Sequence, residues 1–319
     1  MHPMPCFRAL VICVVLLLAC GAHAQGTPAA SSQPPAPLLK HWSGMRALQS
    51  IRTQLSFGTR ALDTPGHARE IAYIMSSLAA THAVIRTQQW QYNAPDGTQH
   101  SLTNIIARFD PDNPHRMIVG THYDSIRHAY RDATHPDAVM PGANNSASGV
   151  AVLLETARQL AAHPPAIGVD MVFFDGEEGA ISQGEGDPHW SAIGSAYFAA
   201  HVKEHYPGAL PAQGVILDMV CYKKLKLYPE PLSLQAAPKE VERFWDIGNA
   251  LAPQIFLRTP TFPVLDDDNA LTAAGIPSFL VIGFDYTPWY NTTQDTPDKC
   301  ATASLAAVGR TLLAYVEEI

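Results

Sequence analysis

Two adjacent glutamates, Glu177 and Glu178, follow an apolar run that ends in Phe173-Phe174-Asp175-Gly176. Side chains of this type can transfer protons or meet a cation, although a Glu-Glu pair after a strand is, on its own, more often a solvated turn or the first turn of a helix. Other polar groups stand in corresponding places. His122 and Asp124 follow the run Met117-Ile118-Val119, Asp218 lies near the end of the run from Val215 to Val220, and Trp289-Tyr290-Asn291 follows the run from Ser278 to Phe284. Imidazole and carboxylate are the groups that acid–base catalysis and divalent-cation binding draw on. Here they recur where apolar runs end.

The elements that must position these groups alternate. Ile71, Ile74, Met75 and Leu78 recur at i, i+3, i+4 and i+7, which predicts a helix over Gly66 to Ala80. Further helices are expected at Ser148 to Ala162, Ala192 to His205, Pro238 to Leu251 and Ser304 to Glu318, between strands at 117–119, 169–174, 215–220 and 278–284. That order predicts an α/β fold, a three-layer α/β/α sandwich around a mixed but mostly parallel sheet. Ligands of such sheets bind beyond the carboxyl ends of the strands, the edge to which the polar groups are assigned.

Composition narrows the partners. Net charge is −8, and the densest basic cluster is Lys223-Lys224-Leu225-Lys226, which argues against nucleic acid. Arg8 and the apolar run from Ala9 to Ala19 read as a secretory signal peptide over residues 1–24, too short for a transmembrane segment, and imply export to a periplasm or beyond. A lipid anchor on Cys20 is the alternative. Residues 25–37, rich in Pro, Ala and Ser, form a tether, and residues 38–319 form one domain. Of five cysteines, cleavage after Ala24 leaves Cys221 and Cys300, as a pair or as two separate thiols.

Five segments in order resemble the motifs of the zinc aminopeptidase family: Thr121 to Ser125, Pro141 to Ser146, Phe173 to Glu178, Leu217-Asp218-Met219 and Asn291 to Thr296. The phrase Phe-Phe-Asp-Gly-Glu-Glu and His189-Trp190-Ser191 resemble the glutaminyl cyclase branch. The resemblance implies an enzyme acting at peptide N-termini, with cyclisation of N-terminal glutamine favoured over hydrolysis of the first residue. It assigns Glu178 to the zinc and Glu177 to acid–base work. Asp218 and Asp267 would tie down the substrate's polar groups, while Trp190, Tyr290 and Asp124 would form the pocket. Tyr290 stands where cyclases carry a tryptophan.

Two metal positions depart from the pattern. Asn145 replaces an aspartate and Asn291 a histidine, and Asp268 occupies another usual histidine position. An amide offers one neutral oxygen, and its NH2 group is a donor that cannot coordinate. Zinc is therefore expected to be weakened, or displaced onto His122, Asp218 and Glu178. A hard cation such as calcium is the alternative, and a catalytically silent protein that binds peptide termini is the rival to an enzyme.

Overall fold

The computed structural model describes residues 36–179 and 190–319, with side chains from Leu39 onward. The leader, nearly all of the tether, Cys20 and His189 lie outside the described residues. The first helix nevertheless begins at Ala36, inside the stretch expected as tether.

In chain order the elements are α1 (Ala36–His41), α2 (Gly44–Leu55), α3 (Pro65–Ala79), β1 (Val84–Asn93), β2 (Gln99–Phe109), β3 (Arg116–His122), α4 (Ala147–Ala162) and β4 (Gly168–Phe174). They continue with α5 (Ile193–Ala200), α6 (Val202–His205), β5 (Gly214–Asp218), α7 (Pro231–Ala236), α8 (Pro238–Leu251), α9 (Asp267–Ala273), β6 (Ser278–Ile282) and α10 (Thr302–Glu318). The helix expected over 192–205 is two helices, because the chain leaves helical geometry at His201.

The sheet order is β1-β2-β4-β3-β5-β6. Strands β4, β3, β5 and β6 are parallel neighbours, whereas β2 runs antiparallel to both β1 and β4. The four parallel strands are buried along their whole length. Alternation along each strand divides their side chains between two cores. Val119, Met171, Phe173, Leu217 and Val281 face a core shared with α2, α4, α8 and α10. Ile118, Val172, Phe174, Ile216 and Leu280 face a second, shared with α5, α6 and α9. This is the three-layer sandwich expected.

Gly149 lets α4 lie against the sheet, since a Cβ there would meet Thr121 Oγ1 at 2.0 Å and the Leu217 carbonyl oxygen at 2.8 Å. Cys221 and Cys300, left open by the sequence, are bonded in the structure and join the end of β5 to the entry of α10. No helix among the described residues is long and apolar enough to cross a membrane.

Candidate active site

The parallel strands deliver their polar ends to one cavity of about 440 Å³. His122, the last residue of β3, is buried, with Nε2 3.3 Å from Asp218 Oδ1 at the end of β5. Its Nδ1 lies 3.4 Å from Asp124 Oδ1 and 3.7 Å from Glu177 Oε2. Burial disfavours the imidazolium, but Glu177, Asp124 and Asp218 outweigh it and hold the His122 pKa well above its ordinary value.

Glu177 and Glu178 stand in a turn after β4 that is held by its main chain. Asp124 accepts the backbone N–H of Glu177 at 3.0 Å and that of Glu178 at 3.1 Å. Upstream, Asp175 bonds His67 Nε2 at 2.7 Å and the Thr103 N–H at 2.7 Å. The indole N–H of Trp190 donates to the Glu177 carbonyl at 2.9 Å. Both glutamates line the cavity with Asp218, Trp190, Tyr290, Asn145 and Asn291. Burial pushes Glu177 well above the usual carboxylate range, with His122 opposing and Asp266 and Glu178 adding to the rise. Burial brings Glu178 to about 8, with His122 and the Asn145 hydrogen bond opposing and Asp124 and Asp218 adding to the rise.

Asn145 is placed by Asp295, a buried residue of the segment after Asn291. Asp295 accepts the N–H of Asn144 at 2.8 Å, the N–H of Asn145 at 3.1 Å and the hydroxyl of Tyr286 at 2.6 Å. The Asn144 carbonyl oxygen Oδ1 in turn accepts the Cys221 N–H at 2.8 Å, tying this loop to the disulfide. Asn291 has φ of +53° and Met219, just after Asp218, has φ of +49°. Asparagine tolerates that region, while a methionine there is uncommon, so both sides of the cavity are built on unusual backbone.

The gathering read from the sequence is therefore observed for His122, Asp124, Glu177, Glu178, Asp218, Asn145, Asn291, Trp190 and Tyr290. Asp267 is placed differently. It is completely buried next to Ser195, and its neighbour Asp266, the N-cap of α9, lines the cavity instead. Asp268 is buried beside Glu230, away from the lining, with a pKa pushed up to about 8 by burial. Sequence reasoning also missed Asp295, although it lies in a recognised motif, and Tyr130, whose hydroxyl accepts from Asn291 Nδ2 at 3.2 Å. Both Asn144 and Asn291, which head glycosylation sequons, are buried.

The sequence pattern of peptidase family M28 matches residues 104–316, from β2 to the last turn of α10. The chain belongs to peptidase family M28. A glutaminyl cyclase from Bacteroides thetaiotaomicron, solved with N-acetylhistamine, superposes with a TM-score of 0.82 at 27% identity, covering 88% of this chain and 99% of that one. A Zn-dependent exopeptidase from Parabacteroides distasonis gives 0.81 at 28%, covering 87% and 99%. Glutaminyl-peptide cyclotransferase of Bos taurus is 29% identical over 160 residues, 46% of this chain and 42% of the relative. The match spans less than half the length of the curated relatives.

Zinc, the metal of that exopeptidase, does not fit the donor set found here. Among the described residues no three His, Cys, Asp or Glu side chains converge in a metal-holding arrangement. Asn145 directs its NH2 group at Glu178 Oε1 at 2.6 Å, so a proton donor rather than a second ligand oxygen faces that carboxyl group. In the displaced arrangement His122 Nε2 and Asp218 Oδ1 face each other at 3.3 Å, but no third such side chain converges on the pair among the described residues. Calcium needs six to eight oxygens, and Asn145 meets its neighbours through its NH2 group rather than its oxygen.

Proposed function

We propose that the cavity receives the first residue of a peptide and that the protein acts at peptide N-termini in the manner of glutaminyl cyclases. The observation that carries this reading is that one cavity is lined both by carboxylates, Glu177, Asp218 and Asp266, and by aromatic rings, Trp190 and Tyr290. An α-ammonium group suits the first, and the flat amide of a glutamine side chain suits the second.

Glu177 is placed for the proton work of cyclisation. As a carboxylate it would take a proton from the attacking α-amine and return it to the departing ammonia, and burial, which raises its affinity for a proton, favours the first transfer. Asp218 and Asp266 would orient the amine. Aminopeptidase chemistry would instead use Glu177 to activate a water. A second reading, a binder of peptide termini without turnover, draws support from the Asn145–Glu178 hydrogen bond, which leaves the reacting carbonyl without an electrophilic partner.

The Cys221–Cys300 bond supports an exported, oxidising location, as does the leader read at residues 1–24.

Calorimetric titration with a Gln-initiated peptide and its N-acetylated form tests the reading. The free peptide is expected to bind at least roughly tenfold tighter, about 1.4 kcal/mol. Equal affinities would remove the ammonium from the account. Ammonia release above a Glu177→Gln control separates cyclase from binder.

A further inference from the structure

The family's metal ligands are replaced here by a hydrogen-bonded group in which the Asn145 oxygen Oδ1 is left buried and without a partner among the described residues. The single NH2 of Asn145 donates to Glu178 Oε1 at 2.6 Å and to Asn291 Oδ1 at 3.3 Å, while Asn291 sends its own NH2 to the hydroxyl of Tyr130 at 3.2 Å. Turning the Asn145 amide over, so that its oxygen took the place of the NH2 group, would set that oxygen against the Glu178 carboxylate and the Asn291 carbonyl. Three acceptors would then face one another with no proton between them, so the donor orientation is locked by both neighbours.

Among the described residues that line the cavity none is a lysine or an arginine. Glu177, Asp218 and Asp266 line it, and each like-charged neighbour makes ionisation of the others harder. Among the groups acting on Glu177 and Asp266, His122 is the one cation. Buried carboxylates in this arrangement call for a cation, and an alkylammonium brings directed N–H bonds to share among them.

We propose that this site is metal-independent: the Asn145–Glu178–Asn291 clamp takes the seat of the zinc, and the cation the pocket accepts is the α-ammonium group of a peptide, shared among Glu177, Asp218 and Asp266. The second half of this proposal rests on the N-terminus reading given above; the first half does not. The clamp is also reversible by mutation. Histidine is among the residues that adopt positive φ more readily than most, so Asn291→His adds little backbone strain.

The test has two arms. In the first, the zinc and calcium contents of the purified full chain are measured after exposure to each metal and removal of the unbound ion. Zinc chloride is then titrated into the unmutated protein and the Asn145→Asp/Asn291→His variant. The expected result is substoichiometric metal in the unmutated protein and a gain in zinc affinity of at least roughly 100-fold in the variant. Stoichiometric zinc or calcium in the unmutated protein would overturn the clamp even if the variant failed to fold, and so would a folded variant with unchanged zinc affinity. In the second arm, a Gln-initiated peptide is titrated in EDTA and in zinc, beside its N-acetylated form. Equal binding of the free peptide in both buffers, lost on acetylation, is expected. Binding that requires zinc would overturn metal independence. Binding that survives acetylation would overturn the ammonium, and with it the N-terminus reading, while the metal arm would still decide the clamp.

Discussion

Trp190 donates its indole N–H to the backbone carbonyl of Glu177 at 2.9 Å. The donor is thereby committed to the protein's own main chain, so a ligand meets the ring alone. Trp190 is wall and strut at once. Trp190→Phe keeps most of the wall and removes the strut, and one lost hydrogen bond is worth about 1 kcal/mol. Affinity for a Gln-initiated peptide should fall roughly fivefold. Trp190→Ala should lose considerably more. Because the ring is only half-buried, thermal unfolding should move little in either variant. Titration calorimetry beside melting curves checks both statements, and an unchanged affinity in Trp190→Phe would deny the strut.

The Cys221–Cys300 bond closes a stretch of chain with a sequence separation of 79 residues. In the chain-entropy account a loop of that size restrains the unfolded state by about 4 kcal/mol. Calorimetric unfolding of the Cys221→Ser/Cys300→Ser protein should therefore show a melting temperature lower by roughly 5 °C or more. The same substitution should weaken peptide binding, since the Cys221 N–H holds the side chain of Asn144 and hence the loop that presents Asn145. A stability loss with binding intact would separate the disulfide from the site.

The parallel strands were legible because each is an apolar run with both faces buried, bounded by polar residues. Strand β1 was not: Arg86, Gln88, Gln89 and Gln91 interrupt Val84, Ile85, Trp90 and Tyr92, and at the sheet edge most of its side chains are exposed or half-exposed. The site was legible through residues whose own side chains meet at the cavity or directly behind its wall, Glu177, Glu178 and Asp218 at the lining and His122 behind it. Asp295 left no such signal. It works by accepting backbone N–H groups, and any carboxylate in a loop can do so. The exchange of Asp267 for Asp266 at the cavity wall is a one-residue matter. Three consecutive aspartates carry no pattern until the capping box of Asp266 with Asn269 fixes where α9 begins.

Glu70 lies in α3 with both carboxyl oxygens buried and without hydrogen-bond partners among the described residues. Burial, only partly offset by Arg60 and His67, raises its pKa to about 8. Between the ordinary carboxylate value near 4.5 and that value, the unfolded chain is ionised while the folded chain keeps the proton. The folded state then binds more protons, so stability falls as pH rises from about 4.5 to about 8. Glu70→Gln removes this ionisation. Its melting temperature should lose less than that of the unmutated protein between pH 5 and pH 9, with Asp268 among the groups that keep part of the slope. Parallel melting curves across that range, shifted only in height, would show that Glu70 is not the titrating group.

Asp124 uses one carboxylate oxygen for the N–H of Glu177 and the other for the N–H of Glu178. Asparagine can replace only one of these acceptors, and its NH2 group would be turned toward a backbone donor. An unsatisfied buried N–H costs about 1–3 kcal/mol, and the turn that presents both glutamates would have to shift to relieve it. Asp124→Asn should therefore lower stability by about that amount and weaken peptide binding by roughly tenfold or more, although Asp124 itself does not line the cavity. Asp124→Glu keeps both oxygens on a longer stem and should recover part of the binding. Affinities for one Gln-initiated peptide across the two variants, with denaturant unfolding of each, decide the matter. Full binding by Asp124→Asn would show that the glutamate turn holds its shape without this carboxylate.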